Sequence, residues 1–113
     1  MSNLSPVLLA EDNPNDVLLV RRAFQENNAR NPVHAVGNGE EAIKYLAGEG
    51  QYADRAAYPF PALFLLDLKM PVKDGLEVLR WLHQHPEIPR RLPVVVLSST
   101  ELPSETQMAY AMD

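Results

Sequence analysis

The chain has 113 residues, of which 46% are hydrophobic and none is cysteine, and its formal net charge is -5 at pH 7. This length allows one domain with one core, and the lack of cysteine excludes disulfides and thiolate metal sites. The negative charge disfavours nucleic acid and anionic membrane surfaces as partners, and the apolar runs are too short to cross a bilayer, so we expect a cytoplasmic protein.

Short apolar runs alternate with helical patterns along the whole chain. The predicted strands cover residues 7–10, 33–36, 62–66 and 94–97. All of them except the second, which His34 interrupts, are continuous apolar runs, and such runs are typical of strands that are covered on both faces. The first predicted helix follows Asn13 as the N-cap, with Pro14 at the first helical position. Its apolar face comprises Val17, Val20 and Phe24.

The second predicted helix begins after Asn38 and ends at Gly48. Its buried stripe comprises Ala42, Ile43, Leu46 and Ala47. Residues 51–61 lack a regular pattern and are rich in proline and tyrosine, so we expect an ordered but irregular connector.

The third predicted helix opens at Asp74, and its inward face comprises Leu76, Leu79 and Leu82. It ends before the dipeptide at residues 85–86, because a residue before proline disfavours helical geometry. A last helix is predicted to begin at Ser104.

This βα alternation predicts a parallel sheet with helices on both faces. Ligands of such sheets bind at the carboxyl ends of the strands. Polar residues follow three of the predicted strands: Glu11 and Asp12 the first, Asp67 the third and Ser98 the fourth. Taken singly, each is most simply a solvated strand end, but their agreement in position favours a common site.

The chemistry of the predicted site follows from its carboxylates. Three of them cannot lie together unpaired, so they raise one another's pKa or hold a cation. Asp12 and Asp67 offer the hard oxygen ligands that Mg²⁺ prefers. An aspartate can also attack phosphorus, and a hydroxyl such as that of Ser98 can then donate a hydrogen bond to the phosphoryl oxygens.

Four motifs resemble the receiver domain of two-component response regulators. They are Glu11-Asp12, the run from Leu65 through Asp67 to Pro71, Asp74-Gly75, and residues 96–99. The segment 11–16 and the long connector resemble in particular the single-domain regulators that serve phytochrome-type histidine kinases. The resemblance implies a flavodoxin-like, doubly wound parallel sheet over residues 1–113.

The resemblance also implies a role for each site residue. Asp67 would accept a phosphoryl group from a sensor histidine kinase. Mg²⁺ would be held by the carboxylates of Asp12 and Asp67, by the backbone carbonyl of Lys69, and by Glu11 through water. Ser98 would be the switch hydroxyl. Such a domain is not an enzyme, although it assists its own phosphorylation and dephosphorylation, and it signals by protein contact.

The chain departs from the family pattern at its C-terminal end. The family has a fifth strand that ends in a lysine, whereas this sequence has no lysine after Lys73. We therefore expect a receiver domain that is incomplete at its C-terminus, with strand order 2-1-3-4. The bare edge at residues 94–97 predicts either a fragment of a longer protein or a homodimer formed through that edge.

Three other functions remain open at this point. The missing lysine favours an inactive receiver that serves only as a scaffold. An Mg²⁺-dependent phosphatase with an aspartate nucleophile is disfavoured, because it needs an acid where this chain has Lys69. A flavodoxin-like phosphate-binding module is disfavoured because Glu11 and Asp12 would repel a phosphate monoester.

Overall fold

The computed structural model describes residues 5–70, 72–88 and 92–97. Strands and helices alternate along these residues as predicted. The elements are β1 (Val7–Ala10), α1 (Pro14–Glu26), β2 (Val33–Val36), α2 (Gly39–Ala47), a short 3-10 helix (Gly50–Ala53), β3 (Leu63–Asp67), α3 (Gly75–His83) and β4 (Val94–Leu97). Strand β3 begins one residue later than predicted and includes Asp67.

The four strands form one parallel sheet with the order β2-β1-β3-β4. This confirms the predicted flavodoxin-like order 2-1-3-4. Ala10 at the end of β1 is in register with Leu66, and Asp67 is in register with Leu97. The carboxyl ends of β1 and β3 therefore lie side by side, which places the residues that follow them at one edge of the sheet.

The two faces of the sheet are covered to different extents. One face packs against α2 and α3 in a core that includes the fully buried Tyr45, Phe64 and Leu66. The other face packs against α1, which buries none of its residues completely. The predicted apolar face of α1, including Val17 and Phe24, does contact this second core.

Side-chain caps begin each of the three helices. The side chain of Asn13 accepts a hydrogen bond from Asn15, and that of Asn38 accepts one from Glu41. Asp74 forms a capping box, in which its side chain and that of Glu77 each accept a hydrogen bond from the other residue's backbone N–H. These bonds satisfy N–H groups that have no partner inside a helix.

The connector between α2 and β3 is ordered and irregular, as predicted. Its centre is the tyrosine cluster, which we define as Tyr45, Tyr52, Tyr58 and Arg55. Ring centroids of the three tyrosines lie 5.0–6.0 Å apart. The Arg55 guanidinium donates to three backbone carbonyls, those of Tyr45, Leu46 and Tyr58.

Two predictions about helix faces were incomplete or wrong. Leu79 and Leu82 of α3 pack into the core as predicted, but Leu76, also predicted to face inward, is 55% exposed, and Gly75 and Val78 are buried instead. The helix is rotated because Gly75 lies against β3, as described below. The buried Tyr45 was missed on α2.

The predicted last helix, which would begin at Ser104, lies outside the described residues. Among the residues that are described, no helix has the length and apolar character needed to cross a membrane.

Candidate metal centre

Three carboxyl groups meet at the carboxyl ends of β1 and β3. One oxygen from each of Glu11, Asp12 and Asp67 lies within 4.8 Å of the others. Glu11 is 8% exposed and Asp67 is 9% exposed, whereas Asp12 faces solvent. The predicted convergence of these acids is therefore confirmed, and the roles assigned to them stay predictions.

Asp67 is held by the sheet and by the start of α3. It is the last residue of β3, opposite Leu97 of β4. One carboxylate oxygen accepts a hydrogen bond from the backbone N–H of Lys69 at 3.3 Å. Gly75 packs so closely that a Cβ there would lie 2.6 Å from the Asp67 carbonyl oxygen. Only glycine fits this contact, which explains why the first turn of α3 lies against the strand end.

Glu11 is held by the turn into α1. Its N–H donates to the carbonyl of Val36 at 2.9 Å, which extends the pairing of β1 with β2 by one residue. Its carboxylate accepts a hydrogen bond from the N–H of Asn13 at 3.1 Å. Because Asn13 is also the N-cap of α1, the same turn starts the helix and orients the carboxylate.

Burial shifts the protonation of both inner acids. Loss of water around Glu11 raises its pKa from 4.5 to about 7, and the nearby charges of Asp67, Asp16 and Asp12 add to the effect. The pKa of Asp67 is also raised, first by burial and then by Asp12. The hydrogen bond from Lys69 opposes that rise. Without a cation, Glu11 is therefore partly protonated at neutral pH.

The donor set fits a hard divalent cation. Carboxylate oxygens are the ligands that Mg²⁺ and related ions take, and a cation would remove the repulsion that keeps a proton on the cluster. Two of the acids are buried and one is exposed, so one side of the cluster is open to solvent. Mg²⁺ needs such a side because it retains several water molecules.

Two of the predicted site residues are less well defined by the structure. Lys69 follows Asp67 closely and donates its N–H to that carboxylate, but its carbonyl as a metal ligand stays a prediction. Ser98, the predicted switch hydroxyl, lies outside the described residues.

The family profile described as "Response regulator receiver domain" matches residues 7–113. The chain belongs to this family. It is a receiver domain of the two-component type, with a phosphoacceptor role in signalling. The strand order and the acids at the carboxyl edge of the sheet agree with this assignment.

Several relatives of this receiver domain are regulators linked to phytochromes. Response regulator Rcp1 of Synechocystis sp. is 33% identical over 106 residues, which are 94% of this chain and 69% of that protein. The bacteriophytochrome response regulator AtBRR has a TM-score of 0.80 and 40% identity, covering 93% of this chain and 72% of its own. The phosphorylated cyanobacterial phytochrome response regulator RcpA has a TM-score of 0.78 and 38% identity, covering 92% and 71% respectively.

One of these relatives has been solved with a divalent cation. The Mn²⁺-bound form of Rcp1 has a TM-score of 0.75 and 34% identity to this receiver domain, covering 89% of this chain and 70% of its own. Receiver domains bind a divalent metal, and the cluster of Glu11, Asp12 and Asp67 is the candidate position in this one.

Some features of the site carried weak sequence signals. Gly75 was recognised as part of a motif at a helix start, but its close contact with Asp67 depends on how α3 packs. Asp16, in the first turn of α1, carries a charge that raises the pKa of both inner acids. A carboxylate in the first helical turn after a strand-end acid is the signal that could have indicated this.

Proposed function

We propose that Asp67 accepts a phosphoryl group from the phosphohistidine of a sensor histidine kinase, with Mg²⁺ as the cation. The observation that supports this most strongly is the group of three carboxylate oxygens within 4.8 Å of one another. Asp67 is the inner acid at the end of β3, and the Asp12 carboxylate beside it faces solvent. A donor that approaches from solvent would therefore meet the cluster at its open side.

Each site residue of this chain would have a separate role in the phosphoryl transfer. An oxygen of Asp67 forms the new bond to phosphorus while the bond from phosphorus to the histidine nitrogen breaks, and the imidazole keeps that electron pair. Asp12, Asp67 and the Lys69 carbonyl would hold the cation, with Glu11 acting through water. When bound, Mg²⁺ offsets the repulsion between the carboxylate and the anionic phosphoryl group. The N–H of Lys69 keeps the Asp67 carboxylate oriented.

Glu11 has a further part in this scheme. Its pKa of about 7 means that it is partly protonated in the metal-free protein at neutral pH. Binding of a cation would favour its ionised form, so metal binding and proton release are coupled. In the metal-free protein, a bound proton therefore reduces the repulsion between the carboxylates that would bind the metal.

The proposed kinase is of the phytochrome type. The support is the similarity to AtBRR and RcpA, which are named as phytochrome response regulators. A purified phytochrome-type kinase labelled on its histidine should transfer its phosphoryl group to this chain faster than a kinase of another sensor class. Equal or slower transfer from the phytochrome-type kinase would contradict this part of the proposal.

Two finer properties belong to the same proposal. The domain would assist its own phosphorylation and dephosphorylation, with Ser98 as the switch hydroxyl. Unless the chain is a fragment of a longer protein, it would also form a homodimer through β4, which in the described part of the sheet pairs only with β3. Size-exclusion chromatography coupled to light scattering tests the dimer, and a monomer at all concentrations would contradict it.

The central experiment is phosphorylation by a small donor. Acetyl phosphate with Mg²⁺ should add one phosphoryl group to the wild-type protein, as measured by intact mass, and Asp67→Asn should abolish the addition. Asp12→Asn should slow it by about tenfold or more, since it removes a proposed ligand carboxylate and even groups behind the ligands contribute about tenfold to metal affinity. Glu87→Asp, an exposed conservative control, should leave the rate unchanged. Modification that persists in Asp67→Asn would contradict the proposal, and no modification of the wild type would favour the scaffold alternative.

A further inference from the structure

The first residue of α2 is hydrogen-bonded to the segment between β3 and α3, whose described residues, 68–70 and 72–74, we call the acceptor loop. The N–H of Gly39 donates to the carbonyl of Lys73 at 2.8 Å. The first N–H groups of a helix have no partner within it. In α2, one of these groups is satisfied by the acceptor loop, so the helix and the loop are joined at this point.

The contact at Gly39 has no room for a side chain. A Cβ built there would lie 2.1 Å from the Lys73 carbonyl oxygen and 2.8 Å from a methyl group of Val78. Real Cβ atoms essentially never approach other atoms within 3.0 Å, so the Lys73 carbonyl would have to retreat by about 1 Å. Any residue other than glycine would therefore displace the acceptor loop, lengthen the hydrogen bond, or both.

The other end of the acceptor loop is also fixed. The N–H of Gly75 donates to the carbonyl of Leu68 at 3.0 Å, and the N–H of Leu68 donates to the carbonyl of Leu97 at 3.4 Å. Lys69 lies between this fixed end and Lys73. Because few residues separate Lys69 from Lys73 in sequence, we expect a displacement of Lys73 to alter the hydrogen bond that Lys69 donates to Asp67.

We propose that Gly39 is a positioning residue for the metal centre. By bonding the carbonyl of Lys73, it holds the acceptor loop in the arrangement that places the main chain of Lys69 beside Asp67. This inference depends on the proposed function, because it assumes that Lys69 and Asp67 take part in holding the cation. It assigns to α2, which supplies none of the three clustered carboxylates, an influence on metal affinity that acts through the acceptor loop.

A matched pair of glycine variants separates positioning from stability. Gly39→Ala alters the N-terminal end of α2, and Gly48→Ala alters its C-terminal end. Gly48 has a φ of 71°, and a Cβ there would lie 3.0 Å from the Arg55 guanidinium, so alanine is strained there as well. Both variants should lower the melting temperature, but only Gly39→Ala alters the anchor of the acceptor loop.

The readout is the dissociation constant for Mg²⁺, measured by calorimetry on protein that circular dichroism shows to be folded. Gly39→Ala should weaken Mg²⁺ binding by about tenfold, the scale on which groups behind the ligands act. Gly48→Ala should stay within about twofold of the wild type. Unchanged affinity in Gly39→Ala, or an equal loss in Gly48→Ala, would overturn the inference while leaving the proposed function intact. A wild-type protein that binds no Mg²⁺ would overturn both.

Amide hydrogen exchange of the wild-type protein gives a second test that needs no variant to fold. Coupling is reciprocal, so if opening the hydrogen bond between Gly39 and Lys73 weakens metal binding by about tenfold, saturating Mg²⁺ should slow exchange of the Gly39 amide through that opening by the same factor. The amide of Gly48, which donates to the Tyr45 carbonyl at 3.1 Å, should be unaffected. A Gly39 exchange rate that does not change with Mg²⁺ would refute the proposal.

Discussion

The buried polar groups of the tyrosine cluster are hydroxyl donors with acceptors, whereas those of the metal centre are acids that lie close to one another. In the tyrosine cluster, the hydroxyl of Tyr45 donates to the carbonyl of Pro59 at 3.0 Å, and that of Tyr52 donates to Glu41 at 2.7 Å. Each of these donors has an acceptor. At the metal centre, the buried groups Glu11 and Asp67 are acids that lie beside each other and beside Asp12, and each accepts a hydrogen bond from a backbone N–H.

The difference shows which region stabilises the fold and which is shaped for a ligand. Buried polar groups with partners contribute modestly to stability, whereas buried like charges without a counterion oppose folding. The pKa of Glu11 is raised to about 7 by its burial, which is the sign of such opposition. We therefore expect substitutions to destabilise the protein at the tyrosine cluster and to stabilise the metal-free protein at the metal centre.

The largest effect is expected at Tyr45. Tyr45→Ala should lower the free energy of unfolding by about 3–5 kcal/mol, because it removes a fully buried aromatic ring from the core. Tyr45→Phe keeps the ring and loses only the bond to Pro59, so it should cost about 1 kcal/mol. Urea unfolding measures both values. Equal losses in the two variants would show that the hydroxyl, rather than the packing, dominates.

Arg55 should have the next largest effect. Arg55→Ala removes the donor to three carbonyls, two of which, those of Tyr45 and Leu46, lie near the end of α2. We expect a loss of about 2 kcal/mol in urea unfolding, since bonds from a charged donor are stronger than neutral ones. Arg22→Ala, at an exposed position on α1, should change stability by less than about 0.5 kcal/mol. A similar loss in both variants would contradict a special role for Arg55.

At the metal centre, we expect a substitution to raise the free energy of unfolding of the metal-free protein. The folded protein holds a proton on Glu11 at pH values where the unfolded chain has lost it, so the folded state binds more protons between about pH 4.5 and 7. The free energy of unfolding of the metal-free protein should therefore fall as the pH rises through this window. Glu11→Gln should reduce this pH dependence and raise the free energy of unfolding by about 1 kcal/mol at pH 8. Denaturant unfolding at a series of pH values in chelator tests this, and a wild-type stability that rises across the window would contradict it.

The smallest effect is expected at Val72 in the acceptor loop. This β-branched residue has a φ of 68° and is 68% exposed. Left-handed geometry is unfavourable for valine and is tolerated by asparagine. Val72→Asn should therefore raise the free energy of unfolding by about 0.5–1 kcal/mol. Thermal unfolding measures the gain, and a loss of stability would show that the exposed valine makes a stabilising contact.

The sheet could be predicted from the sequence because its strands are continuous apolar runs bounded by turn residues. The convergence of Glu11, Asp12 and Asp67 followed from the rule that parallel strands end at one edge. The inner face of α3 could not be read in the same way. Leu76 belongs to one apolar stripe and Val78 to another that overlaps it, and the choice is made by the contact of Gly75 with β3.

The sequence analysis also did not predict that Tyr45 lies in the core. Its hydroxyl is satisfied by the carbonyl of Pro59, 14 residues away in an irregular connector. A periodicity argument treats tyrosine as a surface residue unless such a partner is known. Likewise, the bond between Gly39 and Lys73 joins elements that are distant in sequence, so only the folded structure reveals it.

The measurement that tests the metal centre most directly is the number of protons released when Mg²⁺ binds. Calorimetric titrations in buffers of different ionisation enthalpy give this number. We expect a fraction of a proton to be released at pH 7, less at pH 8.5, where Glu11 is largely ionised, and less in Glu11→Gln than in the wild type at pH 7. Heats that do not depend on the buffer at pH 7, or Mg²⁺ binding that survives Asp67→Asn unchanged, would contradict the account.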